Sequence, residues 1–206
     1  MYGLALITAP TIEPVSLDEA KAHVRFFSND DDAAISRLIT AARMSAERFM
    51  GRAILTQTWE LTTDMLPGGL DPICLPMAAP LQSVTHVKYY DTSGVQQTWS
   101  SANYIVSAAK EPGTIRLAYN VAWPSYQLRP DSIAVRYVAG WTTAALVPAA
   151  IKQAILLLVG HWFANREEVI TGTISTRIDF AAEHLLSQYR LGDEFTCYAP
   201  ELAEAN

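Results

Sequence analysis

Residues 149–163 constrain the fold most, because they are apolar on nearly every face of a helix. A helix of that kind is stable only when other structure encloses it. The surrounding apolar stretch, 144–159, is interrupted by Pro148, Lys152 and Gln153. It falls short of the roughly 20 residues that span a bilayer. What encloses this helix is therefore protein, either the rest of the chain or adjacent copies of it. Pro148 occupies the favoured first position of the helix.

Helical signals lie at both ends of the chain. Ser16 and Glu19 have the spacing of a capping box, opening a helix to about Arg25 with Leu17, Ala20 and Val24 inward. Ile35, Leu38, Ile39, Ala42, Ala46 and Phe49 recur at three- and four-residue steps, the stripe of a second helix that Gly51 closes. Before it run Asn29, Asp30, Asp31 and Asp32. Carboxylates suit a hard cation, but at a helix start they also meet unpaired amides and the positive end of the dipole. The latter reading is adopted. A last helix is expected at about 180–189, with Ala181, Leu185, Leu186 and Tyr189 inward and Gly192 at its end.

Between the helical ends the texture changes to short runs of Thr, Val, Ile and aromatics punctuated by Pro and Gly. These predict strands at 54–61, 84–90, 95–100, 104–106, 114–117 and 133–138. Asp91, Thr92, Ser93 and Gly94 form a hairpin turn. The fold class is therefore α+β, a helical body of about four helices with an inserted antiparallel β domain. The boundaries are an N-terminal segment and first two helices over 1–53, the β domain over 54–147, the last two helices over 148–192 and a tail over 193–206.

A formal net charge of −6 argues against broad attraction to nucleic acid, which needs clustered Lys and Arg. Cys74 and Cys197 are far apart and match no metal-ligand spacing, so both are read as free thiols. Residues 1–11 are apolar but lack the basic start and cleavage pattern of a secretion signal. His23, His86, His161 and His184 belong to no metal or nucleophile motif. Residues 172–176 lack the Gly-Lys-Ser/Thr ending of a phosphate loop and are read as a loop between the last two helices. The tyrosines and tryptophans of the β segment lack interleaved Lys and Arg, so they are assigned to core packing and protein interface rather than to stacking on single strands. No catalytic, cofactor-binding or metal residue is expected, and the chain is not expected to be an enzyme.

Several separated segments resemble the head-tail connector (adaptor) family of long-tailed phages and gene-transfer agents. They are residues 14–21, Asp31-Asp32 leading into 38–42, residues 51–59, Leu75-Pro76 with 80–84, residues 138–141, Pro148 through Phe163 with Asn165-Arg166-Glu167, and Leu185-Leu186 with Tyr189-Arg190. Each segment is commonplace, but their order and spacing together are specific. The resemblance implies a structural subunit of the neck of a virion or phage-like particle, assembled in the bacterial cytoplasm. It implies a homo-oligomeric ring, dodecameric to match the portal, between the portal protein and a tail-side stopper or terminator. Double-stranded DNA would pass through the lumen without sequence-specific binding, and no membrane or cofactor is involved. It also implies a C-terminal segment reaching toward the portal. Tyr189, Arg190, Phe195, Tyr198 and Leu202 are its candidate contacts, while Arg166 and Glu167 are candidates for pairing with the next subunit. The alternatives are another ring component (stopper or tail terminator) and, from a different class, a small hydrolase or nucleic-acid-processing enzyme.

Overall fold

The structure is a computed structural model that describes residues 2–165 and 175–191, with the backbone alone for 175–180. The described residues fall into two units, each with its own core. The helical unit takes residues 10–55 and 141–190, and the β unit takes residues 2–9 and 56–140 together with Leu191.

In the helical unit, α1 (Leu17–Val24) begins with the expected capping box. The Ser16 hydroxyl accepts from the Glu19 amide at 3.2 Å, and the Glu19 carboxylate accepts from the Ser16 amide at 2.7 Å. These bonds favour the charged carboxylate, chiefly the one from the Ser16 backbone, and hold Glu19 below the usual range. Helix α2 (Asp32–Met50) differs at its start. Asp31 makes no side-chain capping bond. Asp32 instead pairs with Lys21 of α1 at 2.7 Å, and the same ammonium donates to Asn29 at 2.9 Å. The acidic run therefore ties two helices together rather than serving only its own helix end.

The α2 stripe is buried as the spacing predicts, with Ile35, Ala42, Ala46 and Met50 fully enclosed. Helix α3 (Ala149–Ala164) buries Ile151, Ala154, Ile155, Leu158 and Val159 in the same cluster. Its neighbours are α1, α2 and α4 (Ser175–Ser187), so the chain's own helices enclose much of it. Each large aliphatic side chain so buried contributes about 1.5–3 kcal/mol. Helix α4 begins and ends earlier than its apolar pattern suggested.

A buried polar network runs through this unit. Arg43 donates to Glu13 at 2.7 Å and to Glu47 at 2.8 Å, and Glu47 also accepts from the backbone amide of Ile54 at 2.9 Å. Arg43 and Glu47 are each only 5% exposed. The Glu47 carboxylate thus fixes the chain as it leaves α2 past Gly51, which caps the helix in the left-handed conformation at φ 70°.

The β unit contains two antiparallel sheets. The larger is ordered β1 (Tyr2–Thr8), β2 (Gln57–Thr63), β8 (Ile133–Ala139), β4 (Leu81–Tyr90), β5 (Gln96–Trp99). The smaller is ordered β3 (Ile73–Cys74), β7 (Thr114–Leu117), β6 (Tyr104–Ser107). Strand β8 alternates strictly, burying Ile133, Val135, Tyr137 and Ala139. The sheets meet where the Tyr137 hydroxyl donates to the Pro76 carbonyl and where Trp99 of β5 stacks on Tyr104 of β6, ring centroids 5.6 Å apart. Gly113 lies so close to Leu81 that an added methyl carbon would stand 2.6 Å from the Leu81 Cβ.

Three findings depart from the sequence reading. Residues 2–8, grouped there with the helices, form a strand paired with β2 from Tyr2↔Thr63 to Thr8↔Thr58. Residues 54–55 and 141–147, grouped with the β segment, belong to the helical unit, where Leu55 bridges to Trp141. Cys74 is not a free thiol: it is disulfide-bonded and buried on β3. The chain's other cysteine, Cys197, lies outside the described residues.

Glu47→Ala leaves Arg43 paired with Glu13 alone and takes the carboxylate partner from the Ile54 amide, and should destabilise the fold by about 2–3 kcal/mol. Ser16→Ala removes one capping bond and should cost about 1 kcal/mol. Gly113→Ala should cost on the order of 1–3 kcal/mol by overpacking against Leu81. Denaturant unfolding followed by circular dichroism measures all three, and Glu47→Ala indistinguishable from Ser16→Ala would contradict the network's importance.

Candidate assembly interface

Of the residues named from sequence as contacts, two lie in the described structure. Tyr189 and Arg190 follow α4, where Tyr189 packs half-buried against the helical core. The Arg190 guanidinium carbon stands 5.6 Å from the centre of the Phe49 ring at the end of α2. At that range a cation over an aromatic face is attracted by about 0.5–1 kcal/mol at an exposed site. Both residues therefore anchor the end of α4 to their own unit. Phe195, Tyr198, Leu202, Arg166 and Glu167 lie outside the described residues.

The structure brings forward surfaces that sequence reading missed. At one end of the larger sheet, the loops 64–72 and 118–131 are bound together. The Leu66 amide donates to the Tyr126 hydroxyl at 3.2 Å, and the Asp131 amide donates to the Asp64 carboxylate at 2.9 Å. Arg129 stacks on Tyr90, 4.1 Å from the ring centre. These joined loops leave Met65, Leu70 and Leu128 exposed, and Tyr119 projects from the second of them with 98% of its surface in solvent. The two outer strands β1 and β6 expose Tyr2, Leu6, Ile7, Ile105 and Val106. Apolar surface grouped in this way marks contact with other proteins more often than isolated exposed residues do. The signal in the sequence was present only as apolar residues. Which of them face outward depends on strand pairing.

The outer face of the larger sheet carries the unit's charged cluster. Arg136 of β8 donates to Glu60 of β2 through two nitrogens, at 2.8 and 2.7 Å, across directly paired residues. His86 of β4, also opposite Arg136, lies 3.8 Å from the same carboxylate. Burial holds the His86 imidazole below its ordinary range, reinforced by the charges of Lys88 and Arg136 against the opposing pull of Glu60. The other histidines lie in the helical unit. His23 lies beside Gly160, and His161 contacts Asn165 at 3.2 Å. The His184 carbonyl accepts from Ser187. Among the described residues no group of three His, Cys, Asp or Glu side chains is placed to hold a metal. No described helix is long and apolar enough to cross a membrane.

The chain combines a four-helix unit with a two-sheet β unit and carries most of its exposed large apolar side chains on loops and outer strands, the surface of a structural assembly component. The chain belongs to the head completion protein family, whose model matches residues 13–183. Among solved structures it is similar to a chain in the neck of an empty gene transfer agent particle computed with C6 symmetry. The TM-score is 0.72 at 20% identity, covering 92% of this chain and 96% of that one. A chain in the virion of the native gene transfer agent particle gives the same TM-score and identity, over 92% and 95% of the two chains. The neck of the native particle computed with C12 symmetry gives a TM-score of 0.68 at 20% identity, over 92% and 96%. Curated protein sequences give no significant match.

The lowered His86 value predicts a pH dependence. The unfolded chain takes up the histidine proton near pH 6.5, before the folded chain does. The stability linked to His86 is therefore complete above that pH and is lost as pH falls through the lower folded value. Thermal unfolding should show a smaller loss between pH 7.5 and pH 5 for His86→Gln than for the wild type, and equal losses would exclude this role.

Proposed function

We propose that this chain is the head-tail connector (adaptor) subunit of a phage or phage-like particle, forming a ring between the portal and the tail that extends the DNA channel. The observation that carries the reading is the match of fold across 92% of the chain to neck components, together with membership of the head completion family. The twelvefold and sixfold symmetries belong to those necks, and a dodecameric ring is carried over to this chain as part of the proposal. Cyclic symmetry requires two different surfaces that meet head to tail. The exposed apolar strands and loops supply surface of the required kind.

The charge distribution supports a passive channel. Residues 193–206 carry Asp193, Glu194, Glu201 and Glu204 with no Lys or Arg, so the tail accounts for most of the net charge of −6. The remainder of the chain is close to neutral and offers DNA little non-specific attraction. Portal contact is assigned to the tail through Phe195, Tyr198 and Leu202, with Tyr189 and Arg190 anchoring its root on the helical unit. Arg166 and Glu167 are assigned to pairing with the neighbouring subunit.

Electron microscopy of the protein mixed with its cognate portal should show a ring docked on the portal's narrow end. Absence of any complex at high protein concentration would overturn the assignment. The triple variant Phe195→Ala, Tyr198→Ala, Leu202→Ala, which keeps both cysteines, should leave the circular dichroism spectrum unchanged while portal binding weakens at least about tenfold, a loss of about 1.4 kcal/mol. Unchanged binding would remove the tail from the portal contact.

A further inference from the structure

Among the described residues, four strands lie on the outside of the two sheets, and they differ in how their backbone edges are treated. Strand β3 is buried at both residues. Strand β5 exposes Gln96, Gln97 and Thr98, polar side chains that tolerate water. Strands β1 and β6 are exposed and apolar. Leu6 and Ile7 stand out from β1, and Ile105 and Val106 from β6, with Leu6 44% and Ile105 58% exposed. Neither strand contains a charged residue or a proline. Those are the usual devices that keep a sheet edge from pairing with another chain. Only a register shift after Leu6 interrupts β1.

The two unguarded edges lie on opposite sides of the β unit. Strand β1 ends the larger sheet at one side and β5 ends it at the other. Trp99 of β5 stacks on Tyr104 of β6, which places β6 over the β5 side. Two dissimilar edges on opposite sides are what a head-to-tail contact between identical copies needs, because each copy offers one to the left and the other to the right. We propose that β1 of one copy pairs with β6 of the next, joining the larger sheet of one subunit to the smaller sheet of its neighbour around the ring. This rests on the ring reading above and names the surface by which the ring closes. The contact is short, four or so paired residues from the lengths of β6 and of β1 before its shift. A single such contact is below the size of a stable interface, so association in solution is weak and strengthens when each copy is held at both edges.

The test uses two variants of the full chain, Leu6→Lys on β1 and Ile105→Lys on β6. Both positions are exposed, so each variant should keep the wild-type circular dichroism spectrum and melting temperature. Sedimentation and native mass spectrometry over a concentration series, and electron microscopy on the cognate portal, then read assembly. The wild type should form oligomers that grow with concentration and rings on the portal, while each variant alone should associate at least about tenfold more weakly. An equimolar mixture of the two has one intact β1 and one intact β6, and should form heterodimers and nothing larger. Variants that form rings as the wild type does would overturn the strand pairing and leave the ring reading standing. Loss of association by Leu6→Lys alone, with Ile105→Lys unaffected, would instead indicate symmetric β1 pairing. A wild type that forms no ring even on the portal would overturn both.

Discussion

Strand β8 is the constraint on which the β unit depends. It pairs with β2 along one side and β4 along the other, so its backbone groups are satisfied in both directions. Its alternate side chains, Ile133, Val135, Tyr137 and Ala139, are fully buried. A late strand of the unit therefore occupies the centre, and the first strand of the chain is left at the margin. That arrangement leaves β1 and β5 as outer edges of the larger sheet, and the stacking of Trp99 on Tyr104 carries β6 to the side away from β1. The surfaces available for assembly follow from which strand took the middle.

The helical unit rests on a different balance. Its apolar stripes supply the driving force, but the exit from α2 is set by a carboxylate. Glu47 satisfies Arg43 and the Ile54 amide together, inside a region with little water. Burial of charge is costly unless every group is paired, and here the pairing also directs the chain toward Leu55 and the β unit. Lys21 with Asp32 and Arg190 with Phe49 hold other helix ends in place at the unit's periphery.

The functional picture is one of contact without chemistry. Head completion proteins are structural components of phage-like particles, and the described residues of this member place most of their exposed large apolar side chains on outer strands and loops. Charged side chains in both units have local structural partners, such as Glu60 for Arg136 and Asp32 for Lys21.

The sequence by itself determined the helices, because capping, stripe spacing and all-round apolarity are local properties of contiguous residues. Ser16 with Glu19, the α2 stripe and the α3 run are legible without any partner. It also showed most of the strands and, through scattered segments, the family. It did not determine that residues 2–8 form a strand, since that strand exists only by pairing with β2, 50 or more residues away. Nor did it show that Cys74 is disulfide-bonded, that Arg43 and Glu47 are buried as a pair and joined by Glu13, or that Arg190 turns onto Phe49. Edges, buried ion pairs and exposed apolar side chains are products of long-range pairing, and only the tertiary structure decides which residues are left facing outward.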